Sequence, residues 1–122
     1  MRILIVSGSR ADLGLLHCPE KALREDGHEV MLKQISASNY YEAIKQLGAW
    51  EICDMVLVLG DRFEIMATAT LAHLQRIPIA HIGGGDVTEG SYDDAMRDCI
   101  SRMATIHFAT SFSATARLVA LG

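Results

Sequence analysis

The sequence predicts an α/β domain built on a doubly wound parallel sheet, and three observations carry that expectation. Short apolar, β-branched runs alternate with stretches of helical spacing along the whole chain. Two of the runs, Arg2–Ser7 and Met55–Leu59, are nearly continuous in apolar residues, as a parallel strand covered on both faces must be. Three of the runs close on polar loops marked by glycine: Gly8-Ser9-Arg10, Gly60-Asp61-Arg62 and Gly83-Gly84-Gly85-Asp86. With 122 residues there is enough chain for one core and too little for two, so residues 1–122 form a single domain.

The elements follow in order. After the first strand, residues 8–12 form a turn, and Leu13, Leu16, Ala22 and Leu23 space out a helix that stops at Gly27. Residues 28–34 make a second strand. Tyr41, Ile44 and Leu47 have helical spacing, which predicts a short helix within 36–48. The third strand ends at Gly60-Asp61, and an Ala- and Leu-rich helix over 63–75 follows. Pro78 opens a fourth strand, Ile79–Ile82, that ends in three successive glycines. A helix over 93–103, a strand over 106–109 and a last helix over 111–121 complete the pattern. Right-handed crossovers place these units in one parallel sheet, and its ligands belong at the carboxyl ends of the strands.

Composition narrows the function. Half the residues are hydrophobic, 21% are charged, and the net charge is −4 with no Lys/Arg cluster. That balance disfavours nucleic acid and anionic membrane as partners. No apolar run approaches the roughly 18 residues of a membrane span, and the opening residues read as a strand rather than a leader. Cys18, Cys53 and Cys99 are odd in number and widely spaced. They read as separate, half-buried thiols of a reducing cytoplasm, with neither a disulfide framework nor a zinc site.

The unusual residues lie in the three loops. Gly8 and its neighbours lack the GxGxxG fingerprint of a dinucleotide site, but the turn leads into a helix N-terminus whose free N–H groups suit phosphate. Arg10 stands there either as a clamp on phosphate or sugar, or in a surface ion pair. Asp61 follows a buried strand, where it orients a sugar, acts as a base, or caps the next helix. Three glycines in a row cost backbone entropy, and they suit a backbone that approaches a ligand or takes positive φ. Asp86, Glu89, Asp93 and Asp94 put four carboxylates within nine residues, a density that suits divided acid and base roles. Their spacing is not that of a calcium loop, so no metal is expected. His81 and His107 lie on strands, where packing or a structural hydrogen bond is the expected role.

Together the segments Ser7-Gly8-Ser9-Arg10-Ala11-Asp12, Leu59-Gly60-Asp61-Arg62-Phe63-Glu64 and Ala80-His81-Ile82 through Tyr92-Asp93-Asp94-Ala95 resemble the hydrolysing UDP-N-acetylglucosamine 2-epimerases, in their sialic-acid-pathway branch. Arg97 and His107-Phe108-Ala109-Thr110 continue the likeness over nearly the whole chain. The resemblance implies the N-terminal, Rossmann-like half of a glycosyltransferase-B type fold. It implies UDP-GlcNAc as substrate and elimination across C1 and C2, then hydration to N-acetylmannosamine and UDP, with no cofactor. By position, Asp61, Asp93 and Asp86 match catalytic carboxylates. Gly8, Arg10, Gly83, Gly84, Gly85 and Arg97 match substrate-binding positions. Gly83 departs from the Glu or His that several members carry, and Asp98 from a His. The stretch between the second strand and Gly60 is short by one strand–helix unit. The family's C-terminal domain, with most uridine and diphosphate contacts, is the expected partner, and the chain alone is expected to be inactive and to self-associate. The other readings are the acceptor-side half of a glycosyltransferase and a non-catalytic binding or assembly domain.

Overall fold

The computed structural model describes residues 1–48, 53–87 and 93–122, with the side chains of Arg10 and Asp93 outside that description. Among the described residues ten elements alternate strictly: β1 (Arg2–Ser7), α1 (Arg10–Glu25), β2 (Glu29–Gln34), α2 (Tyr40–Leu47), β3 (Met55–Leu59), α3 (Phe63–Leu74), β4 (Ile79–Ile82), α4 (Asp93–Met103), β5 (Ile106–Phe108) and α5 (Phe112–Leu121). All five strands are parallel in the order β2-β1-β3-β4-β5. The chain reverses its direction of winding between β1 and β3, which is the switch point where such sheets hold ligands. The expected doubly wound parallel sheet is therefore present.

Local chemistry explains the boundaries. Ser9, Asn39 and Ser111 cap α1, α2 and α5, each side chain accepting a hydrogen bond from a backbone N–H three residues on. Ser9 in this role brings the start of α1 forward to Arg10, so the turn expected over 8–12 shrinks to Gly8 and Ser9. Gly27 leaves α1 with φ +89°, a left-handed backbone that glycine adopts without strain. Among the described residues, one short helix, α2, lies between β2 and β3.

The core is asymmetric. On one face, α2, α3 and α4 pack side by side and bury Leu4, Val6, Val56, Val58, Ile79 and Ile100. The middle helix, α3, is apolar on nearly all sides because it is covered by the sheet and by a helix on each flank. On the other face α1 lies over β1 and β2, with Leu16 against Ile3, Ile5 and Val30. Beyond α1 none of the described residues covers that face, and Met55, Leu57, Ala80, Ile82, Ile106 and Phe108 line an apolar groove of about 570 Å³. The last helix, α5, stands beside α4.

Cys18 and Cys99 are exposed and Cys53 is buried, so the three thiols are not alike as expected. Among the described residues no helix is long and apolar enough to cross a membrane.

The two faces should respond differently to truncation. Ile79 is fully buried, so Ile79→Ala is expected to cost about 2–5 kcal/mol in urea unfolding. Ile106 is 40% exposed at the rim of the groove, and Ile106→Ala should cost less than about 1 kcal/mol. Similar losses at both positions would mean that the groove is covered.

Candidate functional site

Strands β1, β3 and β4 are neighbours, so the three glycine-marked loops emerge side by side from one edge of the sheet. At the first, the Ser7 hydroxyl donates to the Ser9 carbonyl at 2.6 Å and fixes the turn. A side chain at Gly8 would approach Glu64 Oε2 at 3.3 Å. Glu64, in the first turn of α3, is 1% exposed and accepts two hydrogen bonds from the Arg62 guanidinium, at 3.1 and 3.2 Å. A buried carboxylate persists when it is paired in this way. Gly8 thus leaves room for this carboxylate beneath the turn, a role that sequence reasoning missed. Residues 62 and 64 have neither the i,i+3 nor the i,i+4 spacing that would have flagged them as a pair.

The second loop turns on Gly60, whose φ is +92°. Asp61 does not cap α3: the N-cap is Arg62, with no side-chain cap bond. The Asp61 carboxylate accepts instead from Arg97 of α4. The capping alternative fails because Asp61 lies one residue before the cap and its carboxylate is already engaged by Arg97.

Arg97 gathers the site. Its side chain is 7% exposed and donates to Asp61, to Asp94 Oδ1 and to the backbone carbonyl of Asp86. Asp94 sits three residues before Arg97 on the same face of α4, a spacing visible in the sequence although only density of charge drew notice to it. Asp86 directs Oδ1 to the Thr110 hydroxyl at 2.7 Å. Asp61, Asp86 and Arg97 are therefore brought together, with Asp94 and Thr110 as additions. The side chains of Arg10 and Asp93, and all of Glu89, lie outside the described residues. Among those described, no group of His, Cys, Asp and Glu is arranged to hold a metal ion, and a guanidinium fills the middle of the carboxylates.

The three glycines do different things. Gly83 and Gly85 have φ of +89° and +80°. At Gly85 a Cβ would fall on the backbone of Ala114, and at Gly84 it would lie 2.7 Å from Ser101 Oγ. These two positions let α5 and α4 close on the loop. At Gly83 the nearest atom among the described residues is Asp86 Oδ2 at 3.8 Å, an ordinary contact that leaves space beside it. Arg117 of α5 donates to the Gly85 carbonyl and, with Asp86, Asp94 and the exposed Asp98, lines an adjoining depression of about 310 Å³.

Behind the loops lies His81, fully buried on β4. Its Nε2 is 2.7 Å from the Gly60 carbonyl and its Nδ1 is 3.2 Å from Ser101 Oγ, which fits the expected structural hydrogen bond. A carbonyl only accepts, so Nε2 carries the proton and Nδ1 accepts from the serine. Burial lowers the pKa below 6.5, with His107 and Arg97 adding to the effect against the Gly60 hydrogen bond and Asp86. His107 itself is exposed.

Comparison with known proteins bears on the fold and the family. Among solved structures, S. aureus MnaA with UDP superposes with a TM-score of 0.87 at 23% identity, over 99% of this chain and 40% of that one. The UDP-GlcNAc 2-epimerase of Neisseria meningitidis bound to UDP-GlcNAc gives 0.81 at 21%, over 98% and 43%. These neighbours share the Rossmann-like parallel α/β fold of this chain, which is the N-terminal half of a glycosyltransferase-B type fold. The sequence profile of UDP-N-acetylglucosamine 2-epimerase matches residues 7–122, and the chain belongs to that family. Campylobacter jejuni GDP/UDP-N,N'-diacetylbacillosamine 2-epimerase (hydrolyzing) is 42% identical over 69 residues, which is 57% of this chain and 18% of the relative. The chain thus spans well under half the length of the proteins it matches.

His81 gives the domain a specific acid response. Well above pH 6.5 the imidazole is neutral in folded and unfolded chains alike. As pH falls below that value the unfolded chain takes up a proton that the folded chain resists, so stability falls, by at most about 1.4 kcal/mol per pH unit. Between about pH 7 and pH 5, His81→Gln should therefore show a shallower loss of unfolding free energy than the unaltered chain. Equal slopes would contradict a buried, neutral His81.

Proposed function

We propose that this chain is the N-terminal wall of the nucleotide-sugar cleft in a hydrolysing UDP-N-acetylglucosamine 2-epimerase, completed by a C-terminal domain. The observation that supports this most is the cluster around Arg97. A buried cation holds Asp61 and Asp94 by their carboxylates and Asp86 by its backbone, at the edge of the sheet where α/β ligands bind. The S. aureus and N. meningitidis neighbours were solved with UDP and with UDP-GlcNAc.

In this reading one carboxylate removes the C2 proton of the sugar. The C1–O bond breaks, its electron pair leaves with UDP, and a C1=C2 double bond forms. Water then returns a hydroxyl to C1 and a proton to the opposite face of C2, giving N-acetylmannosamine. Asp61, Asp86 and Asp93 are the candidates for these proton transfers, and neither cofactor nor metal is invoked. Asp86 suits a part in this because its Oδ2 is the atom nearest to where a side chain at Gly83 would project. Arg97 acts by holding Asp61 by its carboxylate and Asp86 by its backbone, through its Nη1 and Nη2 donors. Gly8 and the N-terminus of α1 take the diphosphate, Arg10 is assigned to it by the resemblance, and Gly83 lets the sugar approach the backbone. The reading carries with it a cytoplasmic setting and self-association of the isolated chain. A non-catalytic binding or assembly domain is the alternative, and Gly83 and Asp98, which depart from the resemblance, favour it.

Half a cleft buries little of a nucleotide sugar, so the chain alone should bind UDP weakly, in the high micromolar range or above. A tight complex would contradict the proposal. For chemistry, UDP-GlcNAc is incubated in deuterated water with the chain and a C-terminal epimerase domain, and followed by NMR. Release of UDP with deuterium at C2 of N-acetylmannosamine is expected, slowed about 10²- to 10⁴-fold by Asp61→Asn. Silence from the unaltered chain, alone and combined, would leave the non-catalytic reading.

A further inference from the structure

His81 reaches no solvent, yet its imidazole spans two of the three parts that form the site. On one side Nε2–H donates to the Gly60 carbonyl. That carbonyl and the Asp61 nitrogen belong to one planar peptide group, so holding the oxygen fixes the plane from which Asp61 departs. The restraint matters here because Gly60 sits at positive φ, and a glycine has other wells to fall into. On the other side Nδ1 faces Ser101 of α4. Ser101 lies four residues after Arg97, one helical turn along the same face.

Helix α4 therefore grips the Gly60–Asp61 unit twice. Arg97 takes the carboxylate directly, and Ser101 takes the preceding carbonyl through His81. Gly84 packs against both members of the second grip: a Cβ there would lie 3.1 Å from His81 Nδ1 and 2.7 Å from Ser101 Oγ. The charged or titratable groups around the ring are Arg97 on α4, His107 on β5 and Asp86 on the loop after β4.

We propose that His81 is a positioning residue: held in its Nε2–H tautomer by Ser101, it orients the Gly60–Asp61 peptide and so aims the Asp61 carboxylate. The mechanistic consequence rests on the epimerase reading above, whereas the geometric claim does not.

The test uses three substitutions. Gln carries its amide near the position of imidazole Nε2 and can still donate to Gly60. Asn carries its amide near Nδ1 and cannot. Both lack the ring, so loss of the ring alone affects the two alike. Ser101→Ala removes one hydroxyl and leaves the packing of β4 intact, which keeps the question open if His81→Asn fails to fold. On the chain itself, long-range ¹H–¹⁵N NMR should show His81 as the Nε2–H tautomer. The Asp61 carboxyl carbon signal should shift in His81→Asn and to a lesser degree in Ser101→Ala, while His81→Gln stays close to the unaltered chain. An Nδ1–H tautomer, or an Asp61 signal displaced equally by Gln and Asn, would overturn the proposal. In the chain combined with a C-terminal epimerase domain, His81→Asn should lower kcat about 10- to 100-fold with KM little changed, and His81→Gln should recover most of it. Equal loss in the two variants would again overturn it. Absence of turnover from the unaltered chain would sink the epimerase reading, and the NMR arm would still decide the role of His81.

Discussion

A guanidinium that is 7% exposed has lost most of its water, and the acceptors that replace that water decide where the surrounding chain must lie. For Arg97 those acceptors come from the loop after β3, from the loop after β4 and from its own helix. The carboxyl edge of the sheet is thus organised around one desolvated cation. The two loops belong to adjacent strands whose register is set by the ladder, so the demand of Arg97 is met without distorting either strand. Removing the cation would leave Asp61 partly buried and without this partner. The site and the local fold are in this sense the same interaction.

The architecture was legible because parallel strands buried on both faces read as continuous apolar runs. Met55–Leu59 and Ile79–Ile82 are found where those runs put them. Boundaries were less legible. The start of α1 depended on Ser9 acting as a cap, and an adjacent Arg-Ala-Asp gave no apolar period to reveal it. Site residues were recognised in proportion to how local their signal is. Asp61 and Arg97 stood out by residue type and by resemblance, but their pairing spans 36 positions, and no periodicity carries that information. Glu64 escaped notice for a different reason. It sits in a helix with no other acidic residue, and only the fold brings it beneath Gly8.

The triple glycine shows how one motif can hold several meanings. Read as sequence, three glycines suggest a backbone bared for a ligand. In the fold, the space beside the second and third is taken by protein, which brings α4 and α5 close to the end of β4. Only the first keeps an open side, and a carboxylate from three residues on stands near it. Close packing and ligand access thus divide a single tripeptide between them.

The open face of the sheet carries a thermodynamic consequence. Folding removes apolar surface from water, and the heat capacity of unfolding follows the area removed, ordinarily about 12–15 cal/mol/K per residue. Here Phe108 is 53% and Ile106 40% exposed, at the rim of a groove that the described residues leave open. The heat-capacity change of this domain therefore falls below that of a chain of equal length with both sheet faces covered. Its stability curve against temperature is correspondingly flatter, and whatever seals the groove steepens it.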